Sequence, residues 1–174
     1  MSYDSRETLG RLPELTGVMK GEGEKTFAKL CKVYGKHSET SELSLEQIDG
    51  ITFRCPDGTI CERPWRVPMD LSEVPFVYHD MKKFENKIIY YETSRGCPFS
   101  CSYCLSSIDK QLRFRSLDLV FNELQFFLDH KVPQVKFVDR TFNCKHDHAM
   151  AIWKYIQEHD NGITNFHFEV AADL

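Results

Sequence analysis

Three cysteines crowd into the run Cys97-Pro98-Phe99-Ser100-Cys101-Ser102-Tyr103-Cys104, directly after the apolar stretch Lys87-Ile88-Ile89-Tyr90-Tyr91. The flanking glycine, the proline and the serines describe an exposed loop rather than a core strand. The fold must therefore deliver a strand whose C-terminal end opens into a loop of soft donors. Three thiolates on one short loop suggest iron–sulfur or zinc before they suggest packing. Structural zinc takes four ligands, usually as two C-x2-C knuckles, and only Cys101 with Cys104 makes one. A disulfide pair or plain buried thiols are the remaining alternatives. A four-iron, four-sulfur cluster normally takes four cysteines, so three leave one iron open to a substrate or cofactor.

With its C-x3-C-x2-C spacing and Tyr103 just before the third cysteine, the loop resembles the signature of the radical SAM superfamily. The resemblance implies that Cys97, Cys101 and Cys104 ligate a 4Fe-4S cluster and that S-adenosylmethionine (SAM) chelates the open iron. It further implies that Tyr103 contacts the adenine through its backbone. One electron then cleaves SAM to a 5′-deoxyadenosyl radical, which requires an electron donor such as flavodoxin or ferredoxin. Where the family usually carries a glycine-glycine-glutamate-like stretch, this chain has Phe137-Val138-Asp139-Arg140-Thr141-Phe142-Asn143, similar to a variant of cobalamin-linked members. Asp139 suits the SAM ammonium, or it caps a turn. Glu169 alternates with Phe166, Phe168 and Val170 on an expected strand, where a charge must face a cavity near SAM or pair with a lysine or arginine.

At 174 residues, 41% apolar and 28% charged, the chain has the composition of an ordinary globular protein with one sizeable core. A net charge of −4 gives no general attraction for nucleic acid or an anionic membrane. The N-terminus lacks a signal-peptide core, and no apolar run approaches the ~20 residues that span a bilayer, so a cytoplasmic location is expected. Seven cysteines, an odd number, fit a reducing compartment.

Taken in order, Ser5 can cap a short helix ended by Pro13, and residues 16–20 read as a strand. Gly21-Glu22-Gly23-Glu24 then leads into a helix with Phe27, Leu30 and Cys31 on one face. Glu22 and Glu24 argue against phosphate at those glycines. This strand, G-E-G-E loop and phenylalanine look like the tail of a Rossmann-like cobalamin-binding domain without its cobalt-ligating motif; cobalamin is thus implied only for a longer protein. Residues 51–54 and 59–62 alternate around Cys55-Pro56-Asp57-Gly58, a hairpin signal that expects a two-stranded ribbon. Cys55 and Cys61 face each other across it or serve as small hydrophobes. Residues 63–78, with Pro64, Pro68 and Pro75, form a stiff extended connector.

From Lys87 the pattern is strand, loop, helix: residues 88–93, a helix capped by Ser116, a strand at 135–138, a helix over Ala149, Ile152, Trp153 and Ile156, and a third strand at 166–170. Such alternation gives parallel strands with right-handed crossovers and functional loops at their C-terminal ends. The expected class is α/β: the first three β/α units of a radical SAM barrel over residues 87–174, a hairpin and connector over 36–86, and the cobalamin-domain tail over 1–35. A closed barrel needs ~200 residues or more, so the chain reads as a fragment whose open sheet edge invites pairing. Lys110, Arg113 and Arg115 read as a solvated basic run or a substrate anchor, and Arg95 as a counter-charge to the cluster. Cys144 with His146 and His148 resembles a metal box that lacks a fourth ligand. Methyl transfer, methylthiolation and hydrogen abstraction share all of these residues. A non-catalytic iron–sulfur carrier using Cys144, or a zinc-stabilised module, stands as the alternative.

Overall fold

The computed structural model describes residues 3–35, 44–105 and 111–172. Residues 36–43 of the expected polar loop, and Lys110 of the basic run, lie outside them. The chain divides into two compact units, Met1–Met69 and Asp70–Leu174.

In the first unit, α1 (Ser5–Arg11) leads to β1 (Gly17–Met19), α2 (Glu24–Tyr34), β2 (Ile51–Arg54) and β3 (Ile60–Glu62). The strands form one antiparallel sheet in the order β1-β2-β3, so the expected two-stranded ribbon carries a third strand. Thr52 is buried in the central strand, where its hydroxyl bonds Ser5 Oγ at 2.7 Å. That contact uses the side chain expected to cap α1, and no side chain caps the helix. Ile48, Ile51 and Phe53 form the local core, with Leu30 and Val33 of α2 against it. The buried side of α2 thus runs through Thr26, Leu30 and Val33, while Phe27 and Cys31, expected inside, are exposed. Thr26 is taken inward by its hydroxyl, which donates to the Asp49 carbonyl at 3.1 Å. Lys20 is also buried; its ammonium donates to Glu62 at 2.9 Å and to the Arg63 carbonyl at 2.5 Å. Pairing of this kind is what makes a buried ammonium tolerable.

The second unit contains β4 (Ile89–Tyr91), β5 (Ser94–Arg95), β6 (Arg113–Phe114), α3 (Leu117–Asp129), β7 (Gln134–Phe137), α4 (His146–Glu158) and β8 (Asn165–His167). Its main sheet is parallel in the order β4-β7-β8, with Ile89 opposite Val135 and Val135 opposite Phe166. Alternation decides which face is buried. Ile89, Tyr91, Val135 and Phe137 turn toward α3 and α4, where Val120, Leu124, Phe127, Ala149 and Ile152 complete the core. The two helices meet at Phe121 and Tyr155, whose rings stack at 4.6 Å. The opposite row, Tyr90, Lys136 and His167, lies across the other face, where Tyr90 and His167 are exposed. The mixed α/β class with a parallel sheet is as expected. β8 is shorter than expected, ending at His167, because beyond it the Glu169 carbonyl accepts a bond from the Phe142 N–H at 2.9 Å instead of extending the ladder.

Candidate functional site

The loop that carries the cysteines is pinched at its base. After β4, Ser94 pairs with Phe114 and Arg95 with Arg113, a short antiparallel ladder joining the loop's entry to its exit. The Arg115 N–H extends it by donating to the Thr93 carbonyl at 2.8 Å. Gly96, just before Cys97, has φ +96°, and a Cβ there would meet the Gln111 carbonyl oxygen at 2.5 Å. Only glycine fits that turn without displacing backbone. Within the loop the Cys104 N–H turns back to the Cys101 carbonyl at 3.2 Å. Cys97 and Cys104 are half-buried, while Cys101 and Tyr103 are exposed.

Two buried groups fix this base. The Asp139 carboxylate, at the end of β7, accepts bonds from the Thr93 N–H at 3.2 Å, the Thr93 hydroxyl at 2.7 Å and the Ser94 hydroxyl at 2.5 Å. Burial pushes its pKa up, and these donors pull it back in part. On the exit side Arg115 is buried, against the expectation of a solvated or substrate-facing arginine. Its guanidinium grips Glu123 of α3 with two nitrogens and donates to the carbonyls of Leu71 at 2.5 Å and Val74 at 2.9 Å. The Tyr91 hydroxyl donates to the same Glu123 at 2.5 Å, and burial first, then Glu123, drives the phenol pKa up. Arg95 pairs with Glu92 at 2.8 Å.

The C-terminal ends of β7 and β8 are tied similarly. The Asn143 side-chain amide donates to the Ala171 carbonyl at 2.8 Å and accepts from the Ala171 N–H at 2.9 Å. Asn143 stood in the quoted stretch, but nothing local distinguished it from any turn asparagine. Glu169 lies beyond β8, exposed, and pairs with Lys136 at 3.2 Å across the uncovered sheet face. Of the two partners the sequence allowed it, the lysine is the one present.

Cys144 and His148 sit behind the loop. Burial pushes the Cys144 thiol up, and the negative charge of Asp139 adds to this. His148 is buried, packs on Phe114 at 5.0 Å, and has no hydrogen-bond partner for Nε2 among the described residues. Burial and the nearby Lys145 ammonium push its pKa down to about 4. Among the described residues no three histidine, cysteine or acidic side chains are gathered closely enough to hold a metal ion. The donor set of the loop nevertheless suits a soft metal or cluster: three thiols on one turn, one exposed and two half-buried, above a base that cannot shift. The loop would have to draw its thiols together around such a group.

A three-stranded parallel sheet backed by helices, with a donor loop at the strands' C-terminal ends, has its loop where open α/β folds bind ligands. The comparisons agree with that class. The fold matches the cobalamin-dependent S-adenosylmethionine radical enzyme OxsB, solved with aqua-cobalamin and S-adenosylmethionine bound, at TM-score 0.74 and 24% identity, over 99% of this chain and 25% of that one. It also matches the radical S-adenosylmethionine methyltransferase TsrM from Kitasatospora setae, at TM-score 0.62 and 20% identity, over 88% of this chain and 31% of that one. In sequence, the chain is 29% identical over 161 residues to an uncharacterized methyltransferase of Pyrococcus horikoshii, covering 87% of this chain and 34% of the relative. It is 30% identical over 109 residues to the anaerobic magnesium-protoporphyrin IX monomethyl ester cyclase of Synechocystis, covering 59% of this chain and 21% of that protein. No family model matches. The chain therefore shares its fold with solved radical SAM enzymes and is similar in sequence to a methyltransferase and a cyclase, while spanning about a third or less of the proteins it matches. No helix among the described residues is long and apolar enough to cross a membrane.

Proposed function

We propose that this chain is the cluster-bearing part of a cobalamin-linked radical SAM enzyme, with residues 87–174 as the first three β/α units of a barrel and residues 1–35 as the tail of a cobalamin-binding domain. The observation that carries this reading is the three-cysteine loop, held at the C-terminal ends of parallel strands by a two-residue ladder, Gly96 and Asp139. Cys97, Cys101 and Cys104 would hold the 4Fe-4S cluster, leaving one iron without a protein ligand. When bound, the cluster supplies an electron and a coordination site for SAM, delivered from a flavodoxin- or ferredoxin-like donor in the cytoplasm. Tyr103, exposed beside Cys104, would contact the adenine through its backbone. Asp139 accepts from Thr93 and Ser94, so its part is to set the loop's base, and the SAM ammonium would have to reach the remaining acceptor site of a buried carboxylate. Lys136 and Glu169 lie on the uncovered sheet face, which in a closed barrel would be interior. Methyl or methylthio transfer fits the methyltransferase resemblances, and the substrate depends on segments of a longer protein.

The test is anaerobic reconstitution with iron and sulfide, followed by electron paramagnetic resonance of the reduced protein with and without SAM. The expected result is a cluster signal that shifts on adding SAM. Zinc in place of a cluster would overturn the reading. A second reading, an iron–sulfur carrier with four protein ligands, would take Cys144 as its fourth ligand. C144S separates the two: retention of the cluster supports the open iron, and its loss supports the carrier.

A further inference from the structure

A second group of thiols stands apart from the cysteine loop, on the β2–β3 hairpin. Cys55 follows β2, and Cys61 is the middle residue of β3. The turn between them is tight: the Gly58 N–H donates to the Cys55 carbonyl at 2.9 Å, with Gly58 at φ +85°. The Cys55 N–H donates to the Thr59 carbonyl at 2.8 Å, and Asp57 Oδ1 accepts from the Thr59 N–H and hydroxyl at 2.9 and 2.7 Å. With Phe53 opposite Cys61 and Arg54 opposite Ile60, the alternation puts Cys55 and Cys61 on one face, diagonally across the ladder. Their Sγ atoms are 2.8 Å apart. That is inside the about 3.5–4.0 Å at which non-bonded carbon atoms settle, and under 1 Å from the ~2.05 Å of a covalent S–S bond. Both residues are thiols, and both are half-exposed at the edge of the Ile48, Ile51 and Phe53 core.

We propose that Cys55 and Cys61 form a redox-active dithiol whose co-reactant is a low-molecular-weight disulfide of the glutathione class. The Cys55 thiolate attacks one sulfur of that disulfide, breaking its S–S bond and releasing one small thiolate. The Cys61 sulfur then attacks Cys55 in the mixed disulfide, forming the Cys55–Cys61 bond and releasing the second. The two protein thiols lose two electrons and two protons, and the small disulfide leaves as two thiols. Either sulfur can open this sequence; the contact with Cys55, then burial, raises the Cys61 thiol above the ordinary range, which favours Cys55 as the first to attack. The Asp57-Gly58 turn presents both sulfurs at contact distance, so closure brings the Sγ atoms together by under 1 Å.

The hairpin is convenient to test, since trypsin cuts after Arg54 and next after Arg66, Arg63 being followed by proline, so that both cysteines fall in one peptide. The full chain is held anaerobically with excess oxidised glutathione, quenched by alkylation, digested and analysed by mass spectrometry. The expected result is loss of alkylation at both cysteines and of the mass of two hydrogens, reversed by dithiothreitol. C61S, checked for its fold by circular dichroism, should stop at the first step with one glutathionyl group on Cys55. Full alkylation of both cysteines, separate glutathionylation of each, or bridging of either to another cysteine in the wild-type chain would overturn the proposal. Formation of the Cys55–Cys61 bond does not depend on whether the cysteine loop holds a cluster.

Discussion

Single residues at the base of the cysteine loop hold its shape. Gly96 is the sharpest case: a methyl group would bring both an unfavourable positive φ and a contact with the Gln111 backbone that no rotamer relieves. G96A should destabilise the chain by about 1–3 kcal/mol and abolish cluster reconstitution, while G58A, at a positive φ with open space around it, should cost only about 1 kcal/mol and leave reconstitution intact. Urea unfolding and iron content check both. His148 gives a pH signature. Its folded pKa of about 4 lies below the ordinary 6.5, so the unfolded chain binds the proton more tightly, and stability falls as pH drops from about 6.5 to about 4. The loss should reach about 3 kcal/mol, and H148Q should flatten the slope in that window. Asp139 acts with the opposite sign: its folded pKa lies above the ordinary 3.8, so stability falls as pH rises through the acid range just above that value, and D139N should remove this term. Denaturant midpoints of the two variants across the acid range would separate them, and an unchanged profile in H148Q would refute the buried neutral imidazole.

At the level of elements, the exit of the loop depends on one buried cluster. Arg115, Glu123 and Tyr91 join β6, α3 and β4, and Arg115 adds the turn at Leu71–Glu73 through a backbone carbonyl. Removing the cation alone leaves the Glu123 charge buried with no counter-ion and only the Tyr91 hydroxyl bonded to it, so R115M should cost about 3–5 kcal/mol, and R115M/E123L should recover most of it. Double-mutant-cycle unfolding tests this; additive losses would mean that the pair is not a unit. The same cluster marks where sequence reading stops. The cysteine loop, the Asp-Gly turn and the strand–helix alternation were legible because each is written in adjacent residues. Arg115 looked like one member of a basic run, because its partners are a glutamate on the buried face of α3 and carbonyls more than forty positions earlier. The β5–β6 ladder has only two residue pairs, too short to show a period of two. Asn143 and Glu169 found their partners through the spacing of neighbouring strands, which no local pattern encodes.

For the molecule as a whole, the consequence that matters is what the second unit leaves open. The order β4-β7-β8 gives each of the outer strands one unpaired side among the described residues. One sheet face is sealed by α3 and α4, while the other presents Tyr90, His167, Val138 and Ile88, all exposed, beside the Lys136–Glu169 pair. An unpaired parallel edge and a half-apolar face are both routes to association, the edge through backbone donors and acceptors, the face through burial of apolar area. Charge does little to prevent this, since Lys136 and Glu169 neutralise each other where they stand. The 174-residue chain should therefore self-associate as its concentration rises, and should do so less once the β8 edge or the open face is blocked. Sedimentation velocity over a wide concentration range distinguishes the cases. Placing a lysine at Phe166, which packs toward the helices, should unfold the unit, whereas a lysine at Tyr90 on the open face should leave it folded and weaken association. An ideal monomer at every concentration would mean that the edge and face are already protected, and would count against reading this sheet as the opening part of a larger barrel.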